Sequence, residues 1–149
     1  MNPRGNPVPK IVSALAALAL AACAAATREP PPKPFVGTQW IAQLELPIPG
    51  DQPWVRMGDG RLEGFGGCNR ISSRYIQDTV GARAIAFGVF SSSKKLCDDA
   101  IMGAERRVLE VLQAASSYSV TGDELTMTGS AGTMRFRAKA DPKAEAAPK

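Results

Sequence analysis

The sequence of 149 residues contains no histidine, only three cysteines and few aromatic residues, which make up 6% of the chain. The absence of histidine excludes Ser-His-Asp triads, Cys-His dyads, HExxH zinc sites and mechanisms that use histidine as a proton shuttle near neutral pH. The length excludes a large multidomain enzyme and predicts a single domain. We therefore expect a protein that is not an enzyme and that uses no catalytic residue, cofactor or metal ion.

The charge of the chain is nearly balanced. It has 18 basic and 14 acidic residues, and two of the bases, Arg4 and Lys10, belong to the leader described next. The other bases form no dense block, and Arg135 and Arg137 alternate along a strand-like segment. A nucleic-acid partner needs a clustered basic patch, usually with interleaved aromatic residues. We therefore expect solvated bases and no nucleic-acid partner.

Residues 1–22 have the architecture of a bacterial signal peptide. Arg4 and Lys10 precede an apolar run over residues 11–22, and no acidic residue occurs in this stretch. The run is shorter than the roughly 20 apolar residues that a membrane-spanning helix needs. The pattern predicts a segment that is removed after export.

The leader ends in Leu20-Ala21-Ala22-Cys23, which is similar to the lipobox of bacterial lipoproteins. This resemblance implies that the chain is cut before Cys23 and that the Cys23 thiol is acylated. The acyl chains would anchor the protein to a membrane, with about 0.8 kcal/mol for each buried methylene. Ala24 in place of an aspartate implies sorting to the outer membrane, on its periplasmic face. The alternative is an ordinary secreted protein that is cut after Ala22 or Ala24.

Composition divides the remaining chain into a tether, a domain and a tail. Residues 23–34 end in Pro30-Pro31-Pro32-Lys33-Pro34, a run that favours polyproline II and predicts an extended spacer. Residues 140–149 are rich in Ala, Pro, Lys and Glu without apolar periodicity, and we expect a disordered tail. The folded domain is expected over residues 35–139.

Short segments with alternating apolar residues or many β-branched and aromatic residues predict a mainly β domain. Glycine-rich turns separate several of these segments, and the last three form a meander with one apolar face. Leu125 and Met127 point to the core from one strand of the meander, and Met134 and Phe136 from the next. The predicted strands cover residues 39–44, 53–57, 61–65, 74–76, 84–90, 118–121, 124–128 and 133–137.

Only the segment Asp99–Ala114 has convincing helical periodicity. Asp98 or Asp99 is predicted to cap the helix N-terminus. A lone amphipathic helix among strands must pack on the sheet or plug the end of a barrel, so the fold class is mainly β, or α+β. The residues assigned to the solvent-facing side of the helix are Glu105, Arg106 and Glu110.

The most distinctive stretch is Gly64-Phe65-Gly66-Gly67-Cys68-Asn69, at the end of a predicted strand. Its pattern, G-x-x-GCN, resembles the hallmark of the META domain, the module of the HslJ heat-shock lipoprotein family. The chain departs from the family pattern in two loops, at Ser73-Arg74 and at Ser93-Lys94-Lys95-Leu96-Cys97. The hallmark positions are Gly64, Gly67, Cys68 and Asn69, and further agreement in chain order over residues 35–137 comes from Trp40, Tyr75, Cys97, Glu105 and Tyr118.

The resemblance implies a small, largely antiparallel β domain of partly barrel-like form, found in bacterial envelope proteins. It implies no characterised chemical reaction. We therefore expect a monomeric, non-enzymatic outer-membrane lipoprotein with a structural or stress-related role, exerted through interaction with an envelope partner. Two alternatives are a carrier or sensor that holds a small hydrophobic ligand, and an inhibitor of a secreted protease.

Cys68 and Cys97 remain as a pair once Cys23 is acylated. A disulfide between them suits a compartment in which disulfides persist, and it would contribute about 3–4 kcal/mol in the chain-entropy model. Two reduced, buried thiols are the second interpretation. A metal site would lack further ligands, and a redox pair is expected at CxxC spacing, so both are disfavoured.

The remaining motifs favour structural roles. The glycines of the hallmark are expected to allow a bulge, a positive φ or close packing on a neighbouring strand, and Asn69 to hydrogen-bond backbone in the turn. Residues 91–94 and 92–95 both match Ser-x-x-Lys, but the sequence lacks the Ser-Asp-Asn and Lys-Thr-Gly motifs of penicillin-binding enzymes. The aromatic residues assigned to the core are Trp40, Trp54, Phe65, Phe87, Phe90 and Phe136.

Overall fold

A computed structural model describes Met1 and residues 31–78 and 83–140. Residues 2–22 of the predicted signal peptide, the acylation site Cys23, most of the tether 23–34 and the tail after residue 140 lie outside the described residues.

The described residues form nine strands and one helix, and neighbouring strands pair antiparallel. The predicted mainly β class is therefore confirmed, with its single helix at the predicted bounds. The elements are β1 Gln39–Ala42, β2 Trp54–Met57, β3 Arg61–Phe65, β4 Arg70–Gln77, β5 Ile85–Phe87, β6 Ser91–Ser92, α1 Asp99–Ala114, β7 Ala115–Thr121, β8 Glu124–Gly129 and β9 Gly132–Ala138.

The sheet curls into a nearly closed barrel. The strand order is β5-β4-β3-β2-β1-β9-β8-β7, with the short β6 also paired to β4. The two strands at the ends of this order, β5 and β7, lie close together. Ala84, just before β5, forms a β-bridge with Ser117 of β7, and the Tyr118 N–H donates to the Arg83 carbonyl at 3.1 Å. Near-closure leaves little free sheet edge between β5 and β7.

Helix α1 crosses one end of the barrel, which we call the helix end. Its Glu105 contacts the β3–β4 loop, and Arg107 Nη1 donates to the Ala131 carbonyl in the β8–β9 turn at 2.9 Å. These two loops lie at the same end, because β3 and β8 run into them from the other end. The helix therefore covers this mouth of the barrel.

The opposite end, which we call the Phe35 end, is covered by the chain that enters the domain. The Lys33 N–H donates to the Gly122 carbonyl in the β7–β8 turn at 2.7 Å, and the Gly37 N–H to the Met57 carbonyl at 2.8 Å. The Phe35 ring stacks on Tyr118 with 4.3 Å between ring centroids. Both mouths of the barrel are thus occupied by parts of this chain.

Apolar side chains fill the barrel interior. The predicted inward face of the meander is confirmed, since Leu125, Met127 and Phe136 are fully buried and Met134 nearly so. α1 contributes Val108, Val111 and Leu112 to the same cluster. The other large, fully buried side chains are Trp40, Val55, Met57 and Leu62.

Most of the predicted strands have somewhat different bounds in the structure, and three of them differ by three residues or more at one end. β4 begins at Arg70 and not at residue 74, β7 begins at Ala115 and not at residue 118, and within the segment predicted over 84–90 only Ile85–Phe87 forms a strand, β5. β5 ends just before Gly88, whose N–H donates to the Arg74 carbonyl at 2.8 Å and whose carbonyl accepts from Ser73 Oγ at 3.0 Å. A serine hydroxyl thus bonds backbone where the strand pairing is interrupted.

The prediction that six aromatic residues belong to the core is wrong for two of them, Trp54 and Phe65. Trp40, Phe87 and Phe136 are buried, and Phe90 is partly buried but packs against the core. Trp54 and Phe65 are partly buried and do not belong to the core cluster. Trp54 and Phe65 alternate with the inward-facing Val55 and Gly64, so they lie on the outer face of the sheet.

Candidate functional site at the GGCN loop

The four residues Gly66-Gly67-Cys68-Asn69, here called the GGCN loop, connect β3 to β4 at the helix end. Phe65 and Arg70 pair across the base of the loop, and the Gly66 N–H donates to the Asn69 carbonyl at 2.7 Å. Gly67 has φ +117°, in the region that favours glycine. The loop is therefore a tight connection that needs glycine at its turn.

A disulfide joins the loop to the chain just before α1. Cys68 and Cys97 are bonded, with 6.0 Å between their Cα atoms. Cys97 precedes Asp98, the N-cap residue of α1. The disulfide therefore fixes the start of the helix against the β3–β4 loop, and the interpretation as two reduced thiols does not apply to this structure.

Glu105 is the buried acid of this region, with 4% of its surface exposed. Its Oε2 accepts the backbone N–H groups of Cys68 at 3.2 Å and Asn69 at 2.7 Å, and its Oε1 accepts Asn69 Nδ2 at 2.8 Å. A buried carboxylate is stable when such donors surround it. Glu105 thus links α1 to the GGCN loop from inside the protein.

The prediction that Glu105 faces solvent is therefore wrong. Glu105 is four residues after Ile101 and three before Val108, which places it on the same face of the helix as these apolar residues. The polar character of its side chain led to the opposite assignment. The buried donors of the GGCN loop explain why an acid is accommodated there.

The Asn69 side chain connects the loop to the segment before the disulfide. Its Oδ1 accepts Ser93 Oγ at 2.9 Å and the Lys95 N–H at 2.5 Å, and its Nδ2 donates to the Lys95 carbonyl at 3.2 Å as well as to Glu105. Asn69 is 1% exposed. The prediction that the Asn69 side chain hydrogen-bonds backbone in its own turn is therefore wrong. The backbone groups that it binds belong to Lys95, in the segment before the disulfide.

Two glycines around the loop are required by close approach. A Cβ on Gly64 would collide with the backbone carbonyl oxygen of Trp54 on the neighbouring strand. A Cβ on Gly66 would lie 2.6 Å from Glu105 Cγ. Gly64 therefore lets β3 lie close to β2, and Gly66 lets the loop approach the carboxylate of Glu105.

The helix N-terminus differs from the expectation in one respect. Asp98 occupies the N-cap position, but its side chain makes no capping hydrogen bond. The Asp98 carbonyl accepts the Met102 N–H at 3.0 Å, which is the first intrahelical bond. The start of the helix is held by the adjacent disulfide and not by a side-chain cap.

A tyrosine with a perturbed pKa lies toward the Phe35 end. Burial raises the pKa of the Tyr75 phenol above its ordinary value, with smaller contributions from the charge of Asp59 and from Tyr118. The Tyr75 hydroxyl donates to the Gly58 carbonyl at 2.6 Å. Phe35 packs edge-on against the Tyr75 ring at 6.1 Å. The Tyr75 hydroxyl therefore has a structural role, as the hydrogen-bond donor to the Gly58 carbonyl.

The described residues contain no group of three or more histidine, cysteine, aspartate or glutamate side chains placed to hold a metal ion. Within the same residues, no helix has the length and apolar character needed to cross a membrane.

The family model of the META domain matches residues 34–141. The chain belongs to the META-domain family. No curated protein matches it at the level of sequence. The fold is similar to the NMR structure of a protein from Burkholderia xenovorans, with a TM-score of 0.60 and 17% identity over 72% of this chain and 85% of that chain. A second NMR structure has a TM-score of 0.52 and 14% identity over 67% of this chain and 87% of that chain.

The residues that carried the resemblance to the META domain fall into two groups in space. Gly64, Gly67, Cys68, Asn69, Cys97 and Glu105 meet at the helix end. Trp40, Tyr75 and Tyr118 surround Phe35, since Trp40 Nε1 donates to the Phe35 carbonyl at 3.1 Å and both tyrosines contact its ring. The sequence did not single out Phe35, and it drew attention to Ser93 and Lys95 only through the Ser-x-x-Lys match and the departure from the family pattern. Their contacts with Asn69 could not be predicted, because the partners are distant in the chain.

Proposed function

We propose that this META-domain protein is a lipid-anchored, non-enzymatic protein of the bacterial outer membrane that acts as a monomer, by presenting its helix end to an envelope partner. The proposed anchor is the acylated Cys23, on the periplasmic face. A structural or stress-related role is consistent with a domain braced by a disulfide and by a buried carboxylate.

The observation that carries this proposal is the position at which the chain enters the domain. Lys33 and Phe35 lie at the Phe35 end, opposite α1 and the GGCN loop. The nine residues between Cys23 and Lys33 would span roughly 28 Å as a polyproline-type tether, at about 3.1 Å for each residue. The anchored protein would therefore direct its helix end away from its own membrane.

The Cys68–Cys97 disulfide supports an oxidising compartment such as the periplasm. In the cytoplasm such a pair would be kept reduced. The bond is therefore consistent with export, which the leader sequence predicts.

The two alternative functions gain little from the structure. A carrier of a small hydrophobic ligand needs internal space, whereas large side chains such as Trp40 and Phe136 fill the interior. A protease inhibitor needs an extended segment at the scissile position. Among the exposed loops, the 93–96 segment does not meet this need, because Lys94 has φ +57°, which is left-handed and not extended.

Intact-mass analysis of the protein from isolated membranes, with and without reductant, tests the proposed anchor. We expect a chain that begins at Cys23, carries acyl groups and gains two mass units on reduction, as one disulfide requires. Cys23→Ser should leave the protein unacylated, while Ala25→Ser should be acylated normally. Recovery of unacylated wild-type protein in the soluble fraction would contradict the proposal.

A further inference from the structure

A groove of about 890 Å³ lies on the outer face of β1–β4 and β6, next to the GGCN loop. This volume is within the range of small-ligand sites, roughly 300–1,000 Å³. The groove lies toward the helix end, since Cys68 and the 91–93 segment form part of its wall. It is therefore separate from the filled barrel interior.

The floor of the groove is aromatic. Trp54 and Phe65 are register partners on β2 and β3, and both are partly exposed. An aromatic ring on a solvated sheet face offers a flat apolar surface, on which the C–H face of a sugar ring can stack. Two adjacent rings fit a ligand of more than one such unit.

Polar groups border this floor in a row across the strands. The register aligns Gln39, Arg56, Glu63, Ser72 and Ser91 on five successive strands. Their amide, carboxylate and hydroxyl groups can donate to or accept from the hydroxyls of a sugar. The aromatic floor and this row together give an amphipathic site.

The basic residues of the groove differ in whether they have an acidic partner. Arg56 binds Glu63 at 3.4 Å and Gln39 at 3.3 Å, and its guanidinium lies 5.7 Å from the Trp54 ring centroid. Neither Arg70 nor Lys95 has a salt bridge within residues 31–78 and 83–140. Asp51 and Glu63 are the acids that line the groove, and Glu63 is paired.

We infer that this groove binds an anionic oligosaccharide, with sugar rings on Trp54 and Phe65 and a carboxylate near Arg70 and Lys95. Cations without a salt-bridge partner form charge-assisted hydrogen bonds with carboxylates. The inference rests on the interaction role proposed above but does not depend on acylation of Cys23.

The position of the groove in the sheet favours a glycan over an extended acidic peptide. A peptide that adds to a sheet needs a strand edge with free backbone groups. β1, β2, β3 and β4, which form the floor, each have paired strands on both sides, whereas the two-residue β6 at the wall pairs with β4 alone among the described strands. Recognition over this floor therefore has to use side chains.

The two tryptophans of the chain allow a direct test. Trp40 is fully buried, whereas Trp54 lies in the groove, so a bound sugar should change the indole NMR signal of Trp54 and leave that of Trp40 unchanged. The full-length mature protein in detergent would be titrated with tetragalacturonate, cellotetraose and an acidic Glu-Ser peptide. We expect tetragalacturonate to bind most tightly and to shift the Trp54 signal.

Arg70→Ala should weaken tetragalacturonate binding by about tenfold, as loss of one charge-assisted contact predicts. The matched control is Arg74→Ala, because Arg74 is exposed on the same face of β4 but lies outside the groove. Equal binding by Arg70→Ala and the control, tighter binding of the peptide than of the sugar, or no Trp54 shift with any of the three would overturn the inference. None of these results would alter the mass analysis of the anchor.

Discussion

The carboxylate of Glu105 accepts the backbone N–H of Asn69 at 2.7 Å, inside the protein and 36 residues apart in sequence. The same carboxylate binds the Cys68 N–H and the Asn69 side chain. One helix side chain thus satisfies three donors of a strand connection. Together with the disulfide, it makes the position of α1 dependent on the GGCN loop.

Glu105→Gln should lower the free energy of unfolding by about 1–3 kcal/mol. Both carboxylate oxygens of Glu105 accept hydrogen bonds, and glutamine would place an NH₂ group against the donors at one of these two positions. Glu105→Ala should lower the free energy of unfolding further, since it leaves all three donors unsatisfied. Urea denaturation measures both. The control is Glu110→Gln on the exposed face of the same helix, and an equal effect of the two Gln variants would contradict this role for Glu105.

Removing the disulfide should lower the free energy of unfolding by about 3–4 kcal/mol. The Cys68→Ser/Cys97→Ser variant and the reduced wild-type protein should lose the same amount, as measured by urea denaturation. Reductant should not change the stability of the variant, since its crosslink is already absent. Unchanged stability of the wild type after complete reduction would show that the bond does not brace the fold.

A matched pair of glycine substitutions tests the close approach at the loop. Gly66→Ala should destabilise the protein by about 1–3 kcal/mol, because the added Cβ would lie 2.6 Å from Glu105 Cγ. Gly103→Ala should stabilise it by about 0.4–1 kcal/mol, since Gly103 lies within α1 and the added methyl would be 3.8 Å from its nearest neighbour, Arg106 Nη2. Thermal unfolding would show shifts of opposite sign, and equal shifts would exclude the steric explanation.

Local pattern predicted the helix bounds and the meander because these depend on periodicity within a segment. Leu125 and Phe136 alternate with polar neighbours, so their burial follows from sequence alone. Trp54 was misassigned because hydrophobicity does not tell which face of a strand is outside. The periodicity of α1 did place Glu105 on the buried face, but its donors come from another part of the chain. Hydrogen bonds to the distant GGCN loop therefore explain why an acid is buried at position 105.

The raised pKa of Tyr75 predicts a loss of stability in alkaline solution. Burial, followed by the charge of Asp59, favours the neutral phenol in the folded protein. In the unfolded chain the phenol ionises near its ordinary pKa of 10.0. Below that pH the phenol is neutral in both the folded and the unfolded protein, and Tyr75 makes its full contribution to the free energy of unfolding. Above it the unfolded state loses its proton first, so the free energy of unfolding should fall as pH rises through 10.

Urea denaturation of wild-type and Tyr75→Phe protein between pH 8 and about pH 11 would measure this loss. Tyr75→Phe should be less stable at pH 8, because the Gly58 carbonyl loses its donor at 2.6 Å, but its stability should fall less steeply above pH 10. Tyr118→Phe leaves Tyr75 as the only phenol of the chain, so absorbance near 295 nm then reports its ionisation directly. A Tyr75 titration in this variant at or below the ordinary value would contradict the prediction, since burial would then not be penalising the phenolate.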